Sequence, residues 1–190
     1  MGKKGARSKG GRKGIGFGIA EGLLRDGFKV AITSRSQESA DSAAKDLNNS
    51  ENVLALAADV KSYQSQKEAV AKVIEKWGQI DVLVANAGVG HFSSILDMEV
   101  EAWEDTIDTN LTGVFYSVKS AVAEIKKTKG YIITISSLAG TNFFEKVSAY
   151  NASKFGVTGF TQSIMLDLRK YGFKVSTIMP GSVATYFNEH

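Results

Sequence analysis

Residues 80–88 read IDVLVANAG, an apolar run that ends in small and polar residues. The apolar part, residues 80–85, is short and nearly continuous, as expected for a parallel strand covered on both faces. The same character is found in residues 28–33, 53–57, 131–135 and 173–179. Together these segments predict the strands of a buried parallel sheet.

The longer segments between these strands have the spacing of helices. In residues 100–125, apolar side chains recur every three or four positions, which predicts one long amphipathic helix. Other helices are predicted over residues 15–25, 36–47, 62–76 and 148–170. Alternating strands and helices are typical of right-handed crossovers. The sequence therefore predicts a single α/β domain over residues 1–190, a doubly wound parallel sheet with helices on both faces.

The composition excludes several classes of site. The 190 residues include no cysteine, which excludes disulfides, thiolate metal sites and a cysteine nucleophile. His91 and His190 are the two histidines, so we expect no metal site. No apolar run reaches the roughly 18 residues that span a bilayer, and no apolar segment follows the basic start as in a signal peptide. We therefore expect a cytoplasmic protein without a membrane partner.

The net charge is +3, and six basic residues lie within the first thirteen positions. A nucleic-acid-binding arm, a solvated tail and a phosphate-facing loop are the alternatives for this segment. No aromatic side chain interleaves the charges, so we expect no nucleic-acid partner.

The two ends of the chain depart from the pattern of such a sheet. Residues 2–14 contain no Val, Ile, Leu or Phe, although a central strand commonly buries side chains at roughly 1.5–3 kcal/mol each. Either a poor first strand is tolerated through backbone pairing alone, or the sequence is an altered or incomplete version of a longer protein. The chain ends eleven residues after Met179, so we expect the last strand to be missing.

A glycine-rich loop precedes the first predicted helix. Its spacing is G-x-x-x-G-x-G, and such glycines permit a tight turn and a close approach of the backbone to a pyrophosphate. The helix that follows offers free N–H donors and the positive end of its dipole. The candidate phosphate-binding residues are Gly10, Arg12, Lys13, Gly14, Ile15 and Gly16.

Polar or small residues also follow two predicted strands. Asp59 and Val60 come after residues 53–57, where a carboxylate could accept a hydrogen bond from an adenine amino group or could cap the next helix. Asn86, Ala87 and Gly88 follow residues 80–85, where small residues let the backbone pack against a flat ligand or simply form a turn.

The remaining motif residues combine hydroxyl, amide and ammonium groups. Tyr150 and Lys154 are four positions apart and share one face of a helix, where an ammonium lowers the pKa of a phenol and makes it a usable acid or base. Ser136 or Ser137, at the end of a strand, could hold a substrate carbonyl against that phenol. Asn110 lies in the middle of a helix, which suggests a surface position or a special task for its side chain or a freed carbonyl.

As an ordered set, these motifs resemble the short-chain dehydrogenase/reductase family, which has a Rossmann-like fold. The likeness is closest to the 3-oxoacyl-[acyl-carrier-protein] reductase group. The resemblance implies a catalytic tetrad of Asn110, Ser137, Tyr150 and Lys154. In that scheme Tyr150 donates a proton, Lys154 lowers its pKa and holds the nicotinamide ribose, Ser137 orients the substrate, and Asn110 holds a water of the proton relay. The resemblance also implies that Asp59 contacts the adenine and that Pro180, Gly181, Val183 and Thr185 embrace the nicotinamide carboxamide.

The resemblance implies NADP(H) as the cofactor. No carboxylate ends the second predicted strand, and Arg35 with Arg12 or Lys13 can pair with a 2′-phosphate. The expected partners are a small-molecule or acyl-thioester carbonyl substrate and further copies of the chain in a homodimer or homotetramer. The alternatives are a nucleotide-binding module without turnover and an incomplete fragment of such a reductase.

Overall fold

The computed structural model describes residues 5–9, 14–48 and 51–182. Its sheet has six strands, all parallel, in the order β3-β2-β1-β4-β5-β6. The chain order reverses between β1 and β4, which is the mark of a doubly wound sheet. The predicted α/β fold is confirmed. The strands are β1 (Gly5–Lys9), β2 (Lys29–Ser34), β3 (Val53–Ala57), β4 (Val82–Ala85), β5 (Tyr131–Ile135) and β6 (Lys174–Ile178).

The first strand occupies the centre of the sheet although it lacks large apolar residues. All five residues of Gly5–Lys9 pair with β2, and Ala6 and Arg7 also pair with β4. Hydrogen bonds of the backbone therefore join the two halves of the sheet through β1. A strand therefore forms here through backbone pairing, although its sequence carries no apolar signal.

Helices cover the two faces of the sheet, and an apolar cluster lies under the helices on each face. On one face, Ala20 of α1 and Ala43 of α2 pack with Val30 of β2. On the other, Val70 of α3 and Ile125 of α5 pack against the middle strands. The helices are α1 (Ile15–Arg25), α2 (Gln37–Asp46), α3 (Tyr63–Trp77), α4 (Val100–Ile107), α5 (Gly113–Thr128) and α6 (Ser148–Arg169). Within the described residues, no helix is both long and apolar enough to cross a bilayer.

The single helix predicted over residues 100–125 is interrupted. A π-helical turn, Asp108–Thr112, separates α4 from α5, and the N–H of Gly113 donates to the carbonyl of Asp108. Gly113 also lies so close to Val60 that a Cβ would stand 2.9 Å from that side chain. Hydrophobic spacing misses such a turn because the apolar faces of the flanking helices stay continuous. A π turn of this kind frequently lies at a functional site.

Candidate functional site

Two adjacent serines follow β5 and have different surroundings. Ser136 is buried, and its hydroxyl donates to the Lys154 carbonyl at 3.0 Å, which fastens β5 to α6. The hydroxyl of Ser137 accepts from the Ala139 N–H at 3.2 Å and is hydrogen-bonded to the Tyr150 side chain. Of the two serines considered, Ser137 is therefore the one in contact with Tyr150.

Tyr150 and Lys154 share one face of α6, as their spacing predicts. The ammonium of Lys154 lies 5.5 Å from the centre of the Tyr150 ring. Only 4% of Lys154 is exposed, and its Nζ donates to the Ile135 carbonyl at 3.0 Å. Burial lowers the pKa of Lys154 from 10.5 to about 8 because the charged form loses its hydration.

The pKa of Tyr150 moves in the opposite direction to the expected one. Burial raises it above 10.0, and the hydrogen bond with Ser137 opposes this effect without reversing it. The expected lowering by Lys154 is wrong for this structure, since that ammonium is directed at the Ile135 carbonyl. At neutral pH the phenol of Tyr150 therefore keeps its proton.

Asn110 lies in the π turn and is fully buried. Its side-chain oxygen accepts from the Val89 N–H at 2.8 Å, and its amide donates to the Val89 carbonyl at 2.9 Å. The same amide donates to the Ser153 hydroxyl at 3.0 Å. The surface position considered for Asn110 is therefore wrong: its side chain clamps the loop after β4 onto α6.

The clamped loop begins with Asn86, Ala87 and Gly88, which follow β4 directly. A Cβ on Gly88 would stand 3.3 Å from the side-chain oxygen of Asn110 and 3.6 Å from the Lys154 ammonium. The segment therefore comes within contact distance of two of the predicted catalytic side chains, as a small residue at a strand end allows.

A second asparagine, which the sequence did not single out for any role, holds the loop after β5. The side-chain amide of Asn151 donates to the carbonyls of Ala139 and Asn142, each at 2.7 Å. Its oxygen accepts from the Phe144 N–H at 3.3 Å. In the sequence, only its position next to Tyr150 could have indicated a role for Asn151. A polar side chain in the first turn of a helix is otherwise ordinary.

Candidate nucleotide-binding residues lie at the carboxyl edge of the other half of the sheet. Gly14 is the extended N-cap of α1, and Ile15 and Gly16 form the first turn of that helix. Arg35 follows β2 and is exposed, and it makes no hydrogen bond or ion pair with the other described residues.

Asp59 follows β3, and its carboxylate accepts from the Lys61 N–H at 2.9 Å. The helix-cap alternative for Asp59 is wrong, because Ser62 is the N-cap of α3 and accepts from the Ser65 N–H. The neighbouring Val60 is buried, and its side chain lies against Gly113 at the end of the π turn.

The segment after β6 closes the edge beside Ser137. The carbonyl of Pro180 accepts from the Leu138 N–H at 3.0 Å, and a Cβ on Gly181 would stand 3.3 Å from the Leu138 side chain. Five predicted cofactor-binding residues lie outside the described residues, namely Gly10, Arg12, Lys13, Val183 and Thr185.

The loop after Gly88 carries His91 and Phe92, two side chains near the site that no motif in the sequence indicates. Asp105 of α4 contacts Lys61 at 2.8 Å and His91 at 3.0 Å. The hydrogen bond from Lys61 is the main cause that holds the pKa of Asp105 below its usual value. Next to His91, the Phe92 ring meets the Tyr150 ring edge-on at 5.7 Å between centres. Among the residues that the structure describes, no cluster of three or more potential metal-ligating side chains occurs.

Comparison with known proteins gives consistent results. The family model for short chain dehydrogenases matches residues 8–190. Trans-4-hydroxycyclohexanecarboxylate dehydrogenase from Sinomonas cyclohexanicum is 36% identical over 96% of this chain and 73% of its own length. The 3-oxoacyl-[acyl-carrier-protein] reductase of Synechocystis sp. is 35% identical over 95% of this chain and 74% of its own.

Solved structures of dehydrogenases are also similar to this chain. An alcohol dehydrogenase from Thermococcus sibiricus, complexed with 5-hydroxy-NADP, superposes with a TM-score of 0.91 and 29% identity. The superposition covers 97% of this chain and 79% of the other. A short-chain type dehydrogenase/reductase from Mycobacterium marinum has a TM-score of 0.92 at 28% identity, over 100% of this chain and 76% of its own.

Proposed function

The chain belongs to the short chain dehydrogenase family, and from this premise we propose that it uses NADP(H) to reduce a carbonyl compound to an alcohol. One observation supports the proposal above the others. A serine hydroxyl, a phenol that keeps its proton and a buried ammonium meet at the carboxyl edge of β5, as the side chains of Ser137, Tyr150 and Lys154. These groups can hold a carbonyl oxygen and protonate it.

The residues present fit a nicotinamide nucleotide. The Lys154 ammonium has three donors, and the Ile135 carbonyl is its one hydrogen-bond acceptor among the described residues. Two donors are therefore left for the hydroxyls of a ribose. The start of α1 at Gly14 suits a pyrophosphate, and Asp59 suits an adenine amino group. When bound, the nicotinamide supplies the hydride.

In the proposed reaction, Ser137 donates a hydrogen bond to the substrate oxygen and holds it beside the Tyr150 hydroxyl. Tyr150 then donates its proton to that oxygen as the carbonyl is reduced. The raised pKa of Tyr150 suits this task, because the phenol carries its proton at neutral pH.

Lys154 and the π turn return the proton to Tyr150 in this scheme. With a pKa of about 8, Lys154 gains and loses a proton close to neutral pH. The side chain of Asn110 is already used on Val89 and Ser153. We therefore assign the water of the relay to the main-chain carbonyl of Asn110, in the turn where the helical backbone is widened.

The preference for NADP(H) depends on Arg35. This exposed guanidinium follows β2 and can pair with a 2′-phosphate, which a carboxylate at the same place would repel. The variant Arg35→Glu is expected to reverse the preference toward NADH. Equal affinity of the native chain for the two nucleotides would contradict the assignment.

The first experiment is a titration of the native chain with NADPH and with NADH, followed by the fluorescence of Trp77 and Trp103. We expect saturable binding of NADPH. Oxidation of NADPH at 340 nm is then measured with simple ketones and with a 3-oxoacyl thioester, the substrate class that the likeness to 3-oxoacyl-[acyl-carrier-protein] reductases adds. Tyr150→Phe should bind NADPH normally and lose turnover by at least about 100-fold. Binding without turnover in the native chain would indicate a nucleotide-binding module instead.

We also propose that the chain forms a homodimer, or a homotetramer built from such dimers, through the outer faces of α5 and α6. Phe115 on α5, and Met165 and Leu166 on α6, are exposed apolar side chains on these helices. Light scattering should give at least twice the mass of one chain. Leu166→Lys should lower this mass without loss of nucleotide binding.

A further inference from the structure

Phe92 occupies an unusual position beside the proposed acid. Its ring meets that of Tyr150 at an interplanar angle of 77°, with 5.7 Å between the ring centres, a favourable edge-to-face geometry. Even so, 46% of Phe92 remains exposed. A large ring that packs against the reacting side chain and is still half open offers apolar surface to a bound molecule.

The backbone on both sides of Phe92 is anchored. On one side, His91 contacts Asp105 of α4 at 3.0 Å, and Asp105 is itself held by Lys61. On the other, Ser93 forms an isolated parallel bridge with Val147, just before α6 begins. These contacts with α4 and with the residue before α6 anchor the backbone on both sides of Phe92. The position of its side chain therefore does not depend on the packing of the ring alone.

The apolar surface continues around the proposed reacting groups. Leu138 follows Ser137 directly and is half-exposed. A carbonyl oxygen that reaches both Ser137 and Tyr150 therefore has apolar side chains close to its substituents. The cavity beside Phe92 is also lined by the carboxylates of Asp97 and Glu99, while His91 contacts Asp105 of α4.

We propose that Phe92 determines specificity at the substrate site, where it selects a ketone whose carbonyl is attached directly to a flat apolar ring. This inference rests on the proposed function, because the carbonyl must lie at Tyr150. An aromatic ring next to the carbonyl would pack on Phe92 in the way that Phe92 packs on Tyr150. A short alkyl substituent fills this surface poorly, and an anionic one meets the carboxylates of Asp97 and Glu99, which line the same cavity.

The test compares kcat/KM for acetophenone and for butanone, which differ in the group attached to the carbonyl. Phe92→Ala should lower the value for acetophenone about 10-fold more than the value for butanone, mainly through KM. Phe92→Tyr keeps the ring and should retain the preference. Tyr171→Ala is the matched control, because it removes a ring of similar exposure at the far end of α6.

Binding without turnover gives a second measurement. Benzamide and propanamide present the same two shapes, and calorimetry with saturating NADPH should show that Phe92→Ala weakens only benzamide. Equal losses for both ketones, through kcat, would mean that Phe92 merely positions Tyr150 and would overturn the proposal. Unchanged selectivity would do the same. Failure of the native chain to reduce any carbonyl would instead refute the proposed function, and this inference with it.

Discussion

Replacing Lys154 by methionine should make the protein more stable while it loses its activity. Methionine has nearly the length of lysine and no charge, so the change removes a buried ammonium and leaves the packing in place. The burial of Lys154 lowers its pKa from 10.5 to about 8, which means that the folded state holds this proton less tightly than the unfolded state.

The size of the effect follows from that pKa. A shift from 10.5 to about 8 corresponds to about 3 kcal/mol that the native chain loses at neutral pH by burying the charge. Loss of the hydrogen bond to the Ile135 carbonyl offsets about 1–2 kcal/mol of the gain. Lys154→Met should therefore raise the free energy of unfolding by about 1–2 kcal/mol at pH 7.

The advantage should also depend on pH. Below pH 8 both states of the native chain carry the proton, and the burial penalty is fully present. Between pH 8 and 10.5 only the unfolded state carries it, so the native chain gains stability as the pH rises. The difference between variant and native chain should fall by about 3 kcal/mol over that interval.

Urea denaturation of the nucleotide-free protein between pH 7 and 10.5, followed by tryptophan fluorescence, measures this difference. Groups that titrate in both chains cancel when the two curves are subtracted. Lys72→Met, at an exposed lysine of α3, is the matched control for the loss of a lysine side chain. A constant difference for Lys154→Met would refute the reasoning, because Lys154 would then titrate alike in both states.

Three further changes test the surroundings of the site. Asn151→Ala should lower the free energy of unfolding by about 2–4 kcal/mol in urea and reduce kcat, since three hydrogen bonds to the loop after β5 are lost; an unchanged kcat would show that the loop does not need this clamp. Gly140→Ala should destabilise by about 1–3 kcal/mol in thermal melts, because a Cβ would stand 2.5 Å from the Ser136 hydroxyl; native stability would place that hydroxyl elsewhere. Asp105→Asn should change stability by less than about 1 kcal/mol. Because the pKa of Asp105 is lowered from 3.8, its contribution is present above that pH and disappears as the pH falls through the folded value; urea curves at pH 7 and pH 3 should show it, and a gap that widens on acidification would contradict it.

Most of the sheet was predictable from the sequence because five of its six strands are apolar runs. The runs of β2 to β6 are apolar and close to the observed bounds, with Tyr131–Ile135 and Val53–Ala57 found as expected. β1 has no such apolar run. Its position is fixed by pairing, because Gly5–Lys9 forms hydrogen bonds with β2 on one side and with β4 on the other. Tertiary pairing here outweighs local preference.

The sequence allowed the identities and the spacing of the proposed catalytic residues to be predicted. It did not allow the directions of their pKa shifts to be predicted. The spacing of Tyr150 and Lys154 fixes a shared helix face, but the carbonyl that the ammonium faces belongs to β5. Burial then decides both pKa directions. The same limit applies to Phe92, whose contact with Tyr150 joins segments far apart in sequence.

The π turn places an additional residue between α4 and α5, and the apolar faces of the two helices still point in the same direction. Each residue of an α-helix turns it by about 100°, so an insertion within α5 would carry Val118 and Ala121 away from the sheet. At Asp108–Thr112 the wider turn absorbs the residue locally, and Asn110 is the residue that it directs inward. A deletion here would restore a regular helix with both apolar faces in register and would remove the hydrogen bonds of Asn110 to Val89 and Ser153. The chain can thus gain or lose this inward amide by a change of length at one turn, with its core left intact.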